Sequence, residues 1–411
     1  MRKPLFAVCA LAAALSFAAC SNRADGAPTP TPPTATPTAA SSPIPVATAV
    51  PTPTPLPTVE PPDLKLRLVN VASGANSDLP VGFGRTHAWS GDSSRLAVAS
   101  EDGLSFGAIN TQRFTRLWAA SCGAVEWSPT HNQVAAACAD GLLVIDISGQ
   151  VITRDQTVGG EWARLSPWVH WAPDGKSVAY GSFNGDATVI LTSDGSRKRI
   201  PGGFMNAQWL PDGRLLTFEQ PTYRDAATIR VHDPAKDYAV VTTAVTRAGA
   251  QGLGIDREGN YAAFGVYGPP AASGLPRILP SNVVVVRIAD GQEVATFPAY
   301  PGYETIDFSP DGRSVLMQTD LCGPGWSLAV GALDGSIRAI TRGSFMVTKF
   351  SPDGSQVGFT RGTELWVVAN DGNTPARRLA EGVHGPAGFE WSPDGKWITV
   401  PPYFGGFDQC N

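Results

Sequence analysis

Histidine is the side chain best suited to proton transfer near neutral pH. It occurs five times, at His87, His131, His170, His232 and His384. None stands beside a nucleophile in sequence, and His131 and His384 fall in loop-like stretches expected to be solvated. The chain has no G-x-S-x-G elbow, P-loop, H-E-x-x-H or paired C-x-x-C motif, each of which would announce a specific chemistry. Aspartate recurs with more order. Asp174, Asp212, Asp311, Asp353 and Asp394 each occupy a Pro-Asp-Gly tripeptide. Proline presets the first turn dihedral, aspartate bonds its own backbone and glycine takes the left-handed position, so these aspartates read as turn formers on separate units rather than as metal ligands.

Six cysteines occur: Cys9, Cys20, Cys122, Cys138, Cys322 and Cys410. With Cys9 in a leader and Cys20 reserved for acylation, an even set of four remains. In an exported chain that set favours disulfides over metal ligation. Cys122 and Cys138 flank one hairpin turn almost symmetrically. Cys322 and Cys410 each follow the second strand of their own unit, on the same side of the fold. The alternative is buried free thiols.

The elements that carry these residues repeat. A large apolar residue precedes each turn, at Trp89, Trp127, Trp171, Trp209, Ile255, Phe308, Phe350 and Trp391. The intervals are 38, 44, 38, 46, 53, 42 and 41 residues. After each turn comes an apolar or alternating run such as Ser177-Val178-Ala179-Tyr180. A third strand follows, such as Leu142 to Ile147, and then a short fourth near basic residues such as Arg197-Lys198-Arg199. Four short strands per unit of about 40–45 residues is the period of a propeller blade.

The Ser-Pro-Asp-Gly hairpin copies, Ser309 to Gly312, Ser351 to Gly354 and Ser392 to Gly395, resemble the TolB-type, WD-like propeller repeat, over roughly Leu64 to Asn411. The expected fold is all-β: an eight-bladed β-propeller of four-stranded antiparallel blades, seven if the degenerate unit at Ile255 is only an insertion. The last motif supplies two strands, so the N-terminal run Leu64 to Val69 and the stretch after Ser77 are expected to complete the C-terminal blade and remove both open edges. The resemblance implies interaction rather than catalysis. TolB itself carries an additional α/β domain before its propeller, where this chain has a Pro/Thr stretch.

Within that fold the residue before each anchor points away from the buried side, because strand side chains alternate. This column reads Ala88, Glu126, His170, Gln208, Gly254, Asp307, Lys349 and Glu390. Its polar members, Glu126, His170, Gln208, Asp307, Lys349 and Glu390, form a candidate channel-lining ring. The ring could hold water, an ion or part of a ligand, or it could serve as inter-blade salt bridges. The longest insertion, Tyr267 to Pro276, reads either as a partner-binding loop or as a tolerated insertion.

The N-terminus reads as an address. Arg2 and Lys3 precede an apolar run from Leu5 to Leu15, and Phe17-Ala18-Ala19-Cys20 resembles a bacterial lipobox. The expected organisation is a lipoprotein signal peptide at 1–19, a lipid-anchored Pro/Thr-rich stalk at 20–62 and the propeller at 63–411. Residues 27–62 at about 3.1 Å each would reach roughly 110 Å. Loss of Arg2 and Lys3 takes the formal charge from -5 to -7. Without basic runs, nucleic acid is not an expected partner. The functional expectation is an exported protein tethered in the cell envelope, monomeric and without cofactor or metal, that binds a protein or glycan. Two rivals are a glycan-active or hydrolytic propeller using Glu126, Asp307 and Glu390, which needs two carboxylates close together with one pKa raised, and a ligand-sensing surface domain.

Overall fold

The computed structural model describes residues 65–82, 86–158, 167–182, 185–220, 226–248, 250–267, 280–298, 306–318, 327–343, 345–383 and 388–401. The signal peptide, the stalk, Cys20, Cys322, Cys410, His384 and the insertion after Tyr267 lie outside them.

Each hairpin is built the same way. In the unit at Phe308, the Ser309 hydroxyl donates to Asp311 Oδ1 (2.6 Å) and accepts the Ser314 N–H (3.0 Å). Asp311 Oδ1 in turn accepts the Arg313 N–H, and Gly312 closes the turn with φ 69°. Ser90, Ser351 and Ser392 repeat the pattern with Asp92, Asp353 and Asp394. The unit at Ile255 lacks the serine, but Asp256 replaces it, accepting the Tyr261 and Glu258 N–H groups. That unit is therefore a true blade turn and not an insertion.

Among the described residues the hairpins extend into seven antiparallel sheets. Six hold four strands, and the seventh holds seven, from Pro167–Trp171 to Ala239–Ala248. Its middle strand, Arg197–Trp209, is thirteen residues long and serves two blades. Arg197 to Ile200 pair outward-strand fashion with Ala187 to Ile190, while Asn206 to Trp209 pair as an innermost strand with Leu215 to Phe218. Seven sheets thus contain eight blades: blade 1 (86–118), 2 (122–155), 3 (167–204), 4 (204–248), 5 (250–298), 6 (307–342), 7 (348–381), and 8, which joins 390–400 to 65–82.

In blade 8, Lys65–Asn70 lies beside Trp397–Val400, with Arg67 opposite Val400 and Asn70 opposite Trp397, and Asn76–Gly82 forms the outer edge. The N-terminal strands complete the C-terminal blade as expected. Packing confirms the count. Among the described residues there are eight apolar clusters, each shared by two successive blades. The last unites Leu66, Leu68 and Leu79 of blade 8 with Trp89, Leu96 and Val98 of blade 1. Eight blades with eight shared cores make a closed ring.

Two glycines are dictated by the backbone. Gly103 (φ 124°) and Gly141 (φ 122°) open the third strands of blades 1 and 2, where an added Cβ would stand 1.9 Å from Trp118 O and 2.1 Å from Asp155 O. Just before Gly141, Cys138 sits opposite Cys122 in the ladder and the two form a disulfide.

Candidate functional site

The first strands of neighbouring blades pack on one another, which gathers the column residues at the ring's inner side. Two anchor indoles fix the spacing from blade 2 to blade 4. Trp171 Nε1 donates to Glu126 O (3.1 Å) and Trp209 Nε1 to His170 O (3.0 Å), so in blades 2 and 3 the column residue is bound to the next blade through its own carbonyl. At Gly254 the next blade's backbone comes close, since a Cβ there would stand 3.1 Å from Ile306 O.

The polar ring divides into two groups. In blades 2–4, Glu126 Oε2 accepts the Trp171 backbone N–H (3.0 Å) and lies 3.2 Å from His170 Nδ1. His170 Nε2 lies 3.3 Å from Asn206 Oδ1, and the imidazole stacks on Trp168 at 6.0 Å between centroids. Gln208 follows, its Oε1 buried without a hydrogen-bond partner. In blades 6–8, Lys349 Nζ donates to Glu390 Oε1 at 2.9 Å and sits 5.5 Å from the Phe389 ring centroid. Asp307 Oδ2 accepts the Phe350 N–H at 2.9 Å.

These groups are far from equally wet. Lys349 is 2% exposed and Asp307 8%, so neither is an open channel wall. Burial pushes the Asp307 carboxyl up to about 7, against the opposing pull of the Phe350 N–H and the Lys349 charge. The structure therefore brings Glu126 to His170 and Lys349 to Glu390, each across a blade boundary, and ties Asp307 to the neighbouring backbone. The carboxylates hold blades in register, and Asp307 is also able to change protonation near neutral pH.

The turn aspartates are committed locally. The Ser90 and Ser309 hydroxyls hold the Asp92 and Asp311 carboxyls below their ordinary range. Their oxygens serve their own turns, blade by blade. His131 is exposed and bonds Thr130 Oγ1, in keeping with a loop position.

One cluster had no signal in the sequence. Asp155, buried at the end of blade 2, accepts from Tyr180 Oη, Arg197 Nη1 and the Thr157 hydroxyl and N–H. Tyr180 and Arg197 belong to blade 3, so this acid pegs two blades together. Burial and the neighbouring Asp155 push the Tyr180 phenol far above its ordinary value. An open cleft of about 250 Å³ lies on the turn side between blades 3 and 4, lined among others by Pro173, Asp174, Trp209, Pro211, Asp212 and Tyr238.

No family model matches the chain, and no curated protein matches it. Among solved structures it resembles the Dos1 propeller, at 12% identity over 84% of this chain and 97% of that one, TM-score 0.59. The protein is a β-propeller. A eukaryotic initiation factor structure aligns with this propeller at 14% identity over 75% of this chain and 78% of that one, TM-score 0.52. A chain of a mitotic checkpoint complex aligns at 12% over 89% and 99%, TM-score 0.50. At such identities the likeness is one of fold.

Proposed function

We propose that this propeller is a TolB-like binding or scaffold module, exported and tethered to the cell envelope through Cys20, with a protein or glycan as its partner. The observation that carries the binding reading is the commitment of the inner-ring carboxylates. Glu126 serves Trp171 and His170, and Glu390 serves Lys349. With those acids spent on blade-to-blade contacts, the ring is a rigid display for its surface loops and clefts, and recognition on a rigid scaffold is the common use of such loops. The aromatic and acidic cleft between blades 3 and 4 is the first surface to test. The Cys122–Cys138 disulfide supports an oxidising compartment, as the leader sequence does.

The test is affinity capture from solubilised envelope, comparing the intact propeller with a variant carrying Asp174→Lys and Asp212→Lys. A partner retained by the first and lost by the second supports the reading; no partner, together with substrate turnover, refutes it. The anchor is tested separately. The full chain is expected in the membrane fraction, its N-terminal peptide carrying acyl mass on Cys20, and Cys20→Ala is expected to release it.

A second reading, an enzyme using channel carboxylates, draws on the Asp307 carboxyl, which titrates near the pH at which a general acid works. It requires a substrate screen that shows turnover abolished by Asp307→Asn in a variant of unchanged melting temperature.

A further inference from the structure

The hairpin turns of successive blades lean on one another. Gly175, Gly312 and Gly354 lie against Thr130, Asp256 and Pro310 of the preceding blade's turn, and Gly259 and Gly395 lie against Pro211 and Pro352. Ser93 Oγ accepts the Asp394 N–H (3.0 Å), and Arg95 reaches Asn132 (3.4 Å). Between blades 3 and 4 the series breaks. A Cβ on Gly213 would meet nothing within 4 Å, and the cleft of about 250 Å³ opens there.

One wall of this cleft is peculiar to blade 4. Every other blade from 2 to 8 joins its third and fourth strands through a glycine at positive φ, as at Gly195 (73°) and Gly291 (70°). Blade 4 instead inserts the 3-10 turn Pro234–Lys236 and puts Asp237 (φ 55°) and Tyr238 (φ 60°) in the left-handed region. An aromatic residue stays in that region only when its surroundings fix it. The Tyr238 N–H donates to Asp233 O (2.9 Å), and its carbonyl lies 3.1 Å from His232 Nδ1. The phenol ring is thereby set against Trp209, with centroids 6.5 Å apart and planes at 67°.

The lining is chemically one-sided. It combines these two rings with the carboxylates of Asp174 and Asp212, and among the described residues no basic side chain lines it. Asp212 is paired with Arg214 (2.7 Å). Asp174 is in no ion pair among the described residues, and its Oδ1 accepts the Lys176 N–H. Burial pushes the Tyr238 phenol up and the charges of Asp174 and Asp237 push it further, so this corner is electronegative. Trp209 is 7% exposed and the rings meet at an angle, which leaves no broad flat face for a sugar to stack on. Angled rings beside an unpaired carboxylate suit a compact cation.

Resting on the reading of this cleft as a recognition surface, we propose that it takes the cationic side chain, lysine or arginine, of a partner protein segment. Asp174 receives the charge, and Trp209 and Tyr238 flank the stem.

Saturation-transfer NMR tests this on the full chain carrying Cys20→Ala, with the capped peptides Ala-Lys-Ala, Ala-Arg-Ala and Ala-norleucine-Ala and with maltotriose as probes. Signal is expected on the lysine or arginine side chain and not on norleucine. Asp174→Asn keeps an acceptor for the Lys176 N–H and is expected to weaken binding about fivefold. Asp353→Asn changes the same turn position at a closed junction and is expected to leave binding unchanged. Tyr238→Gly, which suits the left-handed backbone and removes the ring, is expected to weaken it. No signal on the basic peptides, equal signal on norleucine, signal on maltotriose alone, binding that survives Asp174→Asn, or equal loss in Asp353→Asn would each overturn the proposal. If envelope capture succeeds while the basic peptides fail, the cationic ligand is refuted and the binding module stands.

Discussion

Ser351 shows how much one hydroxyl can do in a turn. It donates to Asp353 and at the same time accepts the Gln356 N–H that opens the next strand. Ser351→Ala removes both bonds and is expected to cost about 1 kcal/mol, read as a lowered midpoint in chemical denaturation with unchanged slope. Asp307 behaves differently because burial dominates it. Its folded pKa of about 7 lies above the ordinary 3.8, so the folded state holds the proton more tightly than the unfolded chain. Its stabilising effect is full below about pH 4 and is lost as the pH rises to about 7, a fall on the order of 2–4 kcal/mol. Asp307→Asn keeps an acceptor for the Phe350 N–H and removes the charge. The wild type is expected to lose stability between about pH 4 and pH 7 while the variant stays flat. Parallel curves would show that the carboxyl does not titrate there.

At the scale of the element, blade 2 is the one stapled covalently among the described residues. The Cys122–Cys138 disulfide closes a hairpin with a sequence separation of 16 residues. Restricting a loop of that size in the unfolded chain stabilises by about 3 kcal/mol. The double variant Cys122→Ala, Cys138→Ala is therefore expected to melt lower by several degrees, and a reducing agent should lower the wild type but leave the variant unmoved. The shared strand Arg197–Trp209 is the other special element. Blades 3 and 4 are continuous through its backbone, so they are expected to open as one unit in hydrogen exchange.

At the scale of the molecule, stability depends on closure. The Lys65–Gly82 hairpin supplies Leu66, Leu68 and Leu79 to the core between blades 8 and 1, and Val69 to the core between blades 7 and 8. Removing residues 63–82 leaves Trp397–Val400 as a bare edge and uncovers Trp89. The truncated chain is expected to aggregate or to lose its cooperative thermal transition, as seen by calorimetry and size-exclusion chromatography. A soluble monomer melting like the wild type would show that ring closure contributes little.

The turn chemistry and the forty-residue period were legible in the sequence because both are local: proline, aspartate and glycine act within four residues, and each anchor marks its own hairpin. The Cys122–Cys138 pairing was legible for the same reason, since one turn separates the two. Even closure could be read, by counting strands at the two ends. Tertiary structure alone decided which column residues meet. Glu126 and His170 are 44 residues apart, an ordinary distance between neighbouring repeats, and only the indole-to-carbonyl spacing of their first strands brings their side chains together. It also decided that Asp307 is a buried acid, that Asp155 pegs Tyr180 and Arg197, and that one long strand serves two blades. These features depend on burial and distance between blades, and neither is a property of any short stretch of chain.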